Sequence, residues 1–125
     1  MPKPGNLHIR DYGTGAAAPP ESLGYPVGMR VNHTRERLDR GETVFGCGLQ
    51  AYRSAEVPRA FAAAGFDYVF IDMEHGAFDL ETVQDMVAAS VTSGITPIVR
   101  VGELLYSLVA RLLDAGAQGT RRESA

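Results

Sequence analysis

One cysteine, one lysine and no long apolar run set the first limits on what this 125-residue chain can be. Cys47 stands alone, so neither an internal disulfide nor a cysteine-built zinc cage can form. Lys3 is the only lysine, against eleven arginines, and it lies among prolines and glycines at the start of the chain. Schiff-base catalysis needs a partly buried, desolvated amine, so imine chemistry is nearly excluded. No stretch approaches the roughly 18–20 apolar residues of a membrane-spanning helix. The opening MPKPGNLHIRDYGTG lacks the apolar core of a signal peptide. A net charge of −3 gives no basic footprint for nucleic acid. With 45% hydrophobic and 22% charged residues, the composition is that of a globular protein. The expectation is one domain in a cytoplasmic setting, with neither nucleic acid nor membrane as partner.

Five of the seven prolines and five of the fourteen glycines fall within residues 1–28, where no helical or strand period is visible. That segment reads as a flexible leader, and Met29 as a second possible start. From Val31 the pattern tightens. Asn32 or Thr34 can cap a short polar helix running to Asp39 and closed by Arg40-Gly41. A unit then repeats. Thr43–Leu49 is an apolar strand, followed by a helix over Ala55–Ala64 that Ser54 can cap, with Pro58 in its first turn. Tyr68–Asp72 is the next strand, and Asp79 caps a helix to about Ser93 with Leu80, Val83, Val87 and Val91 at helical spacing. Thr96–Val101 is the third strand, and Leu104–Ala115 the third helix, with Leu105, Leu108 and Leu112 on its inner stripe. Each of these helices is followed by a glycine.

Short, apolar, non-alternating strands belong to parallel sheets covered on both faces. Strand–helix alternation therefore predicts an α/β fold, either a barrel or an open doubly wound sheet. After Gly119 a fourth strand is due, yet Thr120–Ala125 is almost wholly polar, so residues 120–125 read as a tail outside the fold. An eight-fold barrel takes about 250 residues. The expectation is a partial TIM barrel of about three βα units over residues 29–119, with the chain cut short.

Functional residues in parallel α/β folds gather just beyond the C-terminal ends of the strands. The second strand runs into Asp72-Met-Glu74-His75-Gly76, and the third carries Arg100 near its end. Neighbouring strands lie about 4.8 Å apart. An imidazole, two carboxylates and a guanidinium can thus converge, while the first strand's exit supplies Gln50, Tyr52 and Arg53. His75 suits general acid/base work, since histidine titrates nearest neutrality; its blander reading is a loop histidine bonded to backbone. Arg100, in a strand as apolar as Pro97-Ile-Val-Arg-Val101, is costly to desolvate unless an anion meets it. A 2-oxo acid carboxylate fits its planar fork, and an ion pair with Asp72 is the simpler alternative. Asp114, at a helix C-terminus, reads as a solvated surface residue when taken alone. Gly46-Cys-Gly48 is too short for a dinucleotide fingerprint. His8 and His33 carry no assigned role.

The run Ala64-Gly-Phe-Asp-Tyr-Val-Phe-Ile-Asp-Met-Glu-His-Gly76 resembles the hallmark of the HpcH/HpaI aldolases, the metal-dependent hydroxy-oxo-acid aldolases related to citrate lyase β subunits. Phe45-Gly-Cys-Gly-Leu49, Pro97-Ile-Val-Arg-Val101 and Leu112-Leu-Asp-Ala-Gly-Ala117 are similar to further stretches of that family, in the same order. The resemblance covers about residues 31–119. It implies a TIM barrel that makes or breaks a carbon–carbon bond between the enolate of a pyruvate-like 2-oxo acid and an aldehyde. It further implies a divalent cation (Mg, Mn or Co) acting as Lewis acid. By the same resemblance His75 would be the base, Arg100 would hold the oxo acid and its enolate oxygen, and Asp114 would orient the histidine across a subunit boundary. Asp72 and Glu74 would support these groups from behind. The family's metal ligands, a glutamate and an aspartate, lie on later strands, so none is expected in this chain, which alone should have little activity. A complete member would be a homo-oligomer. The rival expectation is a non-catalytic fragment or assembly partner that completes a barrel with a second chain.

Overall fold

The computed structural model describes residues 30–122. The leader expected over residues 1–28 therefore lies outside the described residues. The apolar runs become β1 (Gly46–Leu49), β2 (Tyr68–Asp72) and β3 (Thr96–Arg100), separated by α2 (Glu56–Ala63) and α3 (Leu80–Ser93). α1 (His33–Asp39) precedes them, and α4 (Tyr106–Ala115) and β4 (Gly119–Arg121) follow. All neighbouring strands are parallel, in the order β1-β2-β3-β4. A strand order that never reverses has no switch point, so of the two expected architectures this is the barrel type.

Polar side chains set the helix starts. Asn32 accepts from the Arg35 N–H at 2.9 Å, and Asp79 from the Thr82 N–H at 2.8 Å. Ser54 Oγ accepts from the Glu56 N–H at 3.2 Å, one residue ahead of Ala55, which occupies the cap position of α2. Gly94 and Gly116 end α3 and α4 at φ of 79° and 109°, a left-handed backbone that any side chain would strain.

Because side chains alternate along a strand, Val69, Ile71, Val99 and Leu49 share one sheet face. They are buried against Val83, Met86 and Val87 of α3 and Leu112 of α4. Each fully buried aliphatic side chain there contributes about 1.5–3 kcal/mol relative to exposure. α1 docks at the strand-start end: buried Thr34 donates to the Asp67 carbonyl at 2.9 Å and meets the Thr96 hydroxyl at 2.7 Å. The other end of the sheet carries the polar cluster.

Two expectations are corrected. Thr120 and Arg121 are strand, not tail: β4 pairs with β3 through Ile98↔Gly119, Val99↔Thr120 and Arg100↔Arg121. The Val101 N–H donates to the Arg121 carbonyl and the Gln118 N–H to the Pro97 carbonyl, both at 2.9 Å. Backbone pairing at a sheet edge needs no apolar side chain, so polarity did not prevent it. Leu105, expected on the inner stripe of α4, is exposed and sits before the helix with an extended backbone, φ −79° and ψ 120°.

Candidate active site

Asp72 ends β2 and Arg100 ends β3, and the two are register partners. Their side chains therefore rise on the same face. Arg100 Nε donates to Asp72 Oδ1 at 3.0 Å and Nη2 donates to Oδ2, a side-on grip by the guanidinium edge. Gln50, just past β1, donates from Nε2 to the same Oδ2 at 2.8 Å. The backbone N–H groups of Glu74 and His75 both donate to Oδ1 at 3.0 Å. Asp72 is 1% exposed, so these five donors replace its water shell. Burial pushes its pKa up, but Arg100, the His75 backbone and Gln50 outweigh that and hold it well below the usual carboxylate range.

The turn after β2 is shaped by the same carboxylate. The Gly76 N–H donates to the Asp72 carbonyl at 3.0 Å, and a Cβ on Gly76 would stand 2.2 Å from that oxygen. Only glycine fits this approach. The turn brings His75 back over β3, where its Nδ1 lies 2.6 Å from Arg100 Nη2. A guanidinium can only donate, so Nδ1 accepts and the ring proton resides on Nε2. Glu74 Oε2 lies 3.5 Å from Arg100 Nε, buried and without a hydrogen bond of its own. The Phe70 ring, two residues before Asp72, sits 5.8 Å below the guanidinium carbon.

Of the residues singled out from sequence, Asp72, Glu74, His75 and Arg100 come together. Arg100 meets an anion within the chain, the simpler of its two readings, and any guest carboxylate has to share the guanidinium with Asp72. Asp114 is not brought to them: it is exposed on the last turn of α4, which runs back toward the strand starts. The sequence places Gln50 only as a polar group at a strand exit; nothing in its spacing shows that it reaches Asp72. Tyr52 and Arg53 are exposed, and His33 pairs with Glu36 in α1.

These residues do not form a cradle for a divalent cation. The Asp72 oxygens are taken by five donors, and Glu74 and His75 both face a guanidinium, which would repel a second positive charge. Among the described residues no group of three or more histidine, cysteine or acidic side chains is placed to hold a metal. Nor is any described helix long and apolar enough to cross a membrane.

No protein-family model matches the chain. A hydroxypyruvate/pyruvate aldolase of Roseobacter denitrificans is 36% identical over 90 residues, covering 70% of this chain and 34% of that protein. A pyruvate aldolase of Rhizobium etli is 37% identical over 92 residues, covering 72% and 35%. Among solved structures, an HpcH/HpaI aldolase from Desulfitobacterium hafniense superposes with a TM-score of 0.65 at 31% identity, covering 69% of this chain and 33% of that one. Over the matched stretch the chain is similar to HpcH/HpaI aldolases. An HpcH/HpaI aldolase/citrate lyase family protein from Burkholderia cenocepacia agrees, with a TM-score of 0.63 at 35% identity over 72% of this chain. The chain spans about a third of the length of the relatives it matches. Over that stretch the chain shares its α/β fold with these HpcH/HpaI neighbours.

Proposed function

We propose that this stretch carries the oxo-acid grip and proton-handling part of an aldolase-type lyase that cleaves or forms a carbon–carbon bond next to a pyruvate-like 2-oxo acid, with an aldehyde as second reactant. The supporting observation is the juxtaposition of Arg100 and His75 over a buried Asp72, in a chain similar to pyruvate aldolases. Arg100 binds the carboxylate and the enolate oxygen, where fixed positive charge is worth most as negative charge develops. Asp72 and Gln50 hold the guanidinium plane still. His75 moves the proton: it donates at Nε2 in the arrangement described, and it accepts there in the other neutral tautomer, in which Nδ1 has turned from Arg100 and carries the single ring proton while Nε2 is bare. Asp114 of a second copy is the group we assign to orient that protonated Nδ1. A divalent cation supplies Lewis-acid stabilisation in such chemistry. The residues described do not fit it, so we assign no step to it.

The test is a titration of the whole chain with pyruvate, followed through the Arg100 Nε–H and His75 ring signals by NMR. Saturable shifts at both, abolished by Arg100→Met, are expected. Shifts absent from the wild type, or unaffected by Arg100→Met, would refute the assignment.

A further inference from the structure

We propose that oxo-acid binding itself turns His75 from a proton donor into a proton acceptor: the guest carboxylate takes the Arg100 hydrogen that holds His75 Nδ1, and the ring proton moves from Nε2 to Nδ1. This rests on the reading that Arg100 takes the oxo-acid carboxylate. Nη2 of Arg100 carries two hydrogens, and both are committed. One goes to Asp72 Oδ2 and the other to His75 Nδ1, 2.6 Å away. Asp72 already occupies the guanidinium edge formed by Nε and Nη2. A second carboxylate grips the fork bidentately at the edge formed by Nη1 and Nη2, which includes the hydrogen held by His75. An imidazole lone pair and a carboxylate oxygen cannot both own it. The histidine thus stoppers the edge that the guest needs.

The two states favour opposite tautomers. Without a guest, Nδ1 faces a group that can only donate, which keeps Nδ1 bare and the proton on Nε2. With the guest in place, Nδ1 faces two acceptors, the incoming carboxylate and Asp72 Oδ2, which stands 3.7 Å from it. A bare nitrogen is repelled by that pair, and a protonated one donates to it. The His75 side chain is 58% exposed, so water takes the proton from Nε2 and returns one to Nδ1, leaving the net charge of the ring unchanged. Nε2 is then bare when the substrate is bound and protonated when it is absent, so the base is armed only over an occupied site. The tautomer ratio shifts by as much as the guest's affinities for the two forms differ.

The experiment follows the two ring nitrogens of His75 by nitrogen NMR of the whole chain with isotope-labelled histidines, the His75 signals being those that vanish in His75→Gln. It is run at about pH 9, where ordinary imidazoles are uncharged. Pyruvate is compared with 3-methylbutan-2-one, a ketone of the same shape and no charge. Saturating pyruvate should move the tautomer ratio toward Nδ1–H by about tenfold or more, the worth of one charge-assisted hydrogen bond. The ketone should leave the Nε2–H form in place, and Arg100→Met should abolish the conversion. Should that variant unfold, the comparison of pyruvate with the ketone in the wild type still decides. If pyruvate saturably shifts the Arg100 Nε–H signal while Nδ1 stays bare, the proposal is overturned and the oxo-acid reading stands. A ring protonated on both nitrogens, the same conversion with the ketone, or a conversion that survives Arg100→Met also overturns it. If pyruvate produces no saturable shift at all, the oxo-acid reading fails and the proposal falls with it.

Discussion

Replacing Asp72 by asparagine keeps the shape of the side chain and removes its charge, which tests the hub of the cluster directly. The remaining carbonyl oxygen can stay at the Oδ1 position, where it still accepts from the Glu74 and His75 N–H groups and from Arg100 Nε. The new amide nitrogen then replaces Oδ2 and faces two donors, Gln50 Nε2 and Arg100 Nη2. Two hydrogen bonds become donor–donor contacts, and Arg100, with 14% of its side chain exposed, loses the counter-charge it is hydrogen-bonded to. Breaking a buried pair by removing one partner costs about 3–5 kcal/mol. A domain has about 5–15 kcal/mol in all, so urea melts should show a large drop in midpoint with the slope preserved. Arg100→Met removes the other partner, and the double variant should be less destabilised than the sum of the two singles by about 1–3 kcal/mol. A loss below about 1 kcal/mol for Asp72→Asn, or strict additivity in the cycle, would refute the argument that this pair organises the strand ends.

Acid should reproduce part of that loss. Asp72 titrates lower in the folded chain than in the unfolded one, so its contribution is complete above the unfolded value of about 4 and is lost as pH falls toward the lower folded value. Urea midpoints should fall steeply below about pH 4 in the wild type and more shallowly in Asp72→Asn, and parallel profiles would contradict this. Gly76→Ala places a Cβ 2.2 Å from the Asp72 carbonyl oxygen and 3.0 Å from that of Gln50. It should cost about 1–3 kcal/mol and displace the His75 backbone signals; a neutral melt would mean that the turn relaxes freely.

The sheet could be read from periodicity because its signals are local. Tyr68–Asp72 and Thr96–Arg100 are apolar runs too short for helices, and glycines at 65, 94 and 116 mark where each helix must end. β4 could not be read this way, since Gly119-Thr-Arg121 pairs through backbone groups that every residue possesses. The start of α4 was misplaced for a related reason: Leu104 and Leu105 carry the apolar signal of the helix while standing outside it, exposed. In the site, the convergence of Asp72, His75 and Arg100 followed from strand adjacency alone. The reach of Gln50 to Asp72 did not, because it depends on side-chain length and rotamer across two strands.

The chemistry and the fold meet in one carboxylate. Asp72 accepts from a neighbouring strand through Arg100, from the preceding strand's exit through Gln50, and from its own following turn through Glu74 and His75. It thereby fixes the three segments that the proposed reaction needs, at the cost of burying a charge that only Arg100 compensates. A neutral residue of equal volume could pack the same space, but it would leave Arg100 without a fixed plane and the 73–76 turn without its two anchoring bonds. Retaining a buried ion pair here is therefore better explained by orientation than by stability, since such pairs rarely outperform apolar substitutes energetically. The same reasoning separates Asp72 from Glu74. Glu74 also lies near Arg100, but its Oε2 has no donor, so it lowers the net charge of the cluster without holding anything in place.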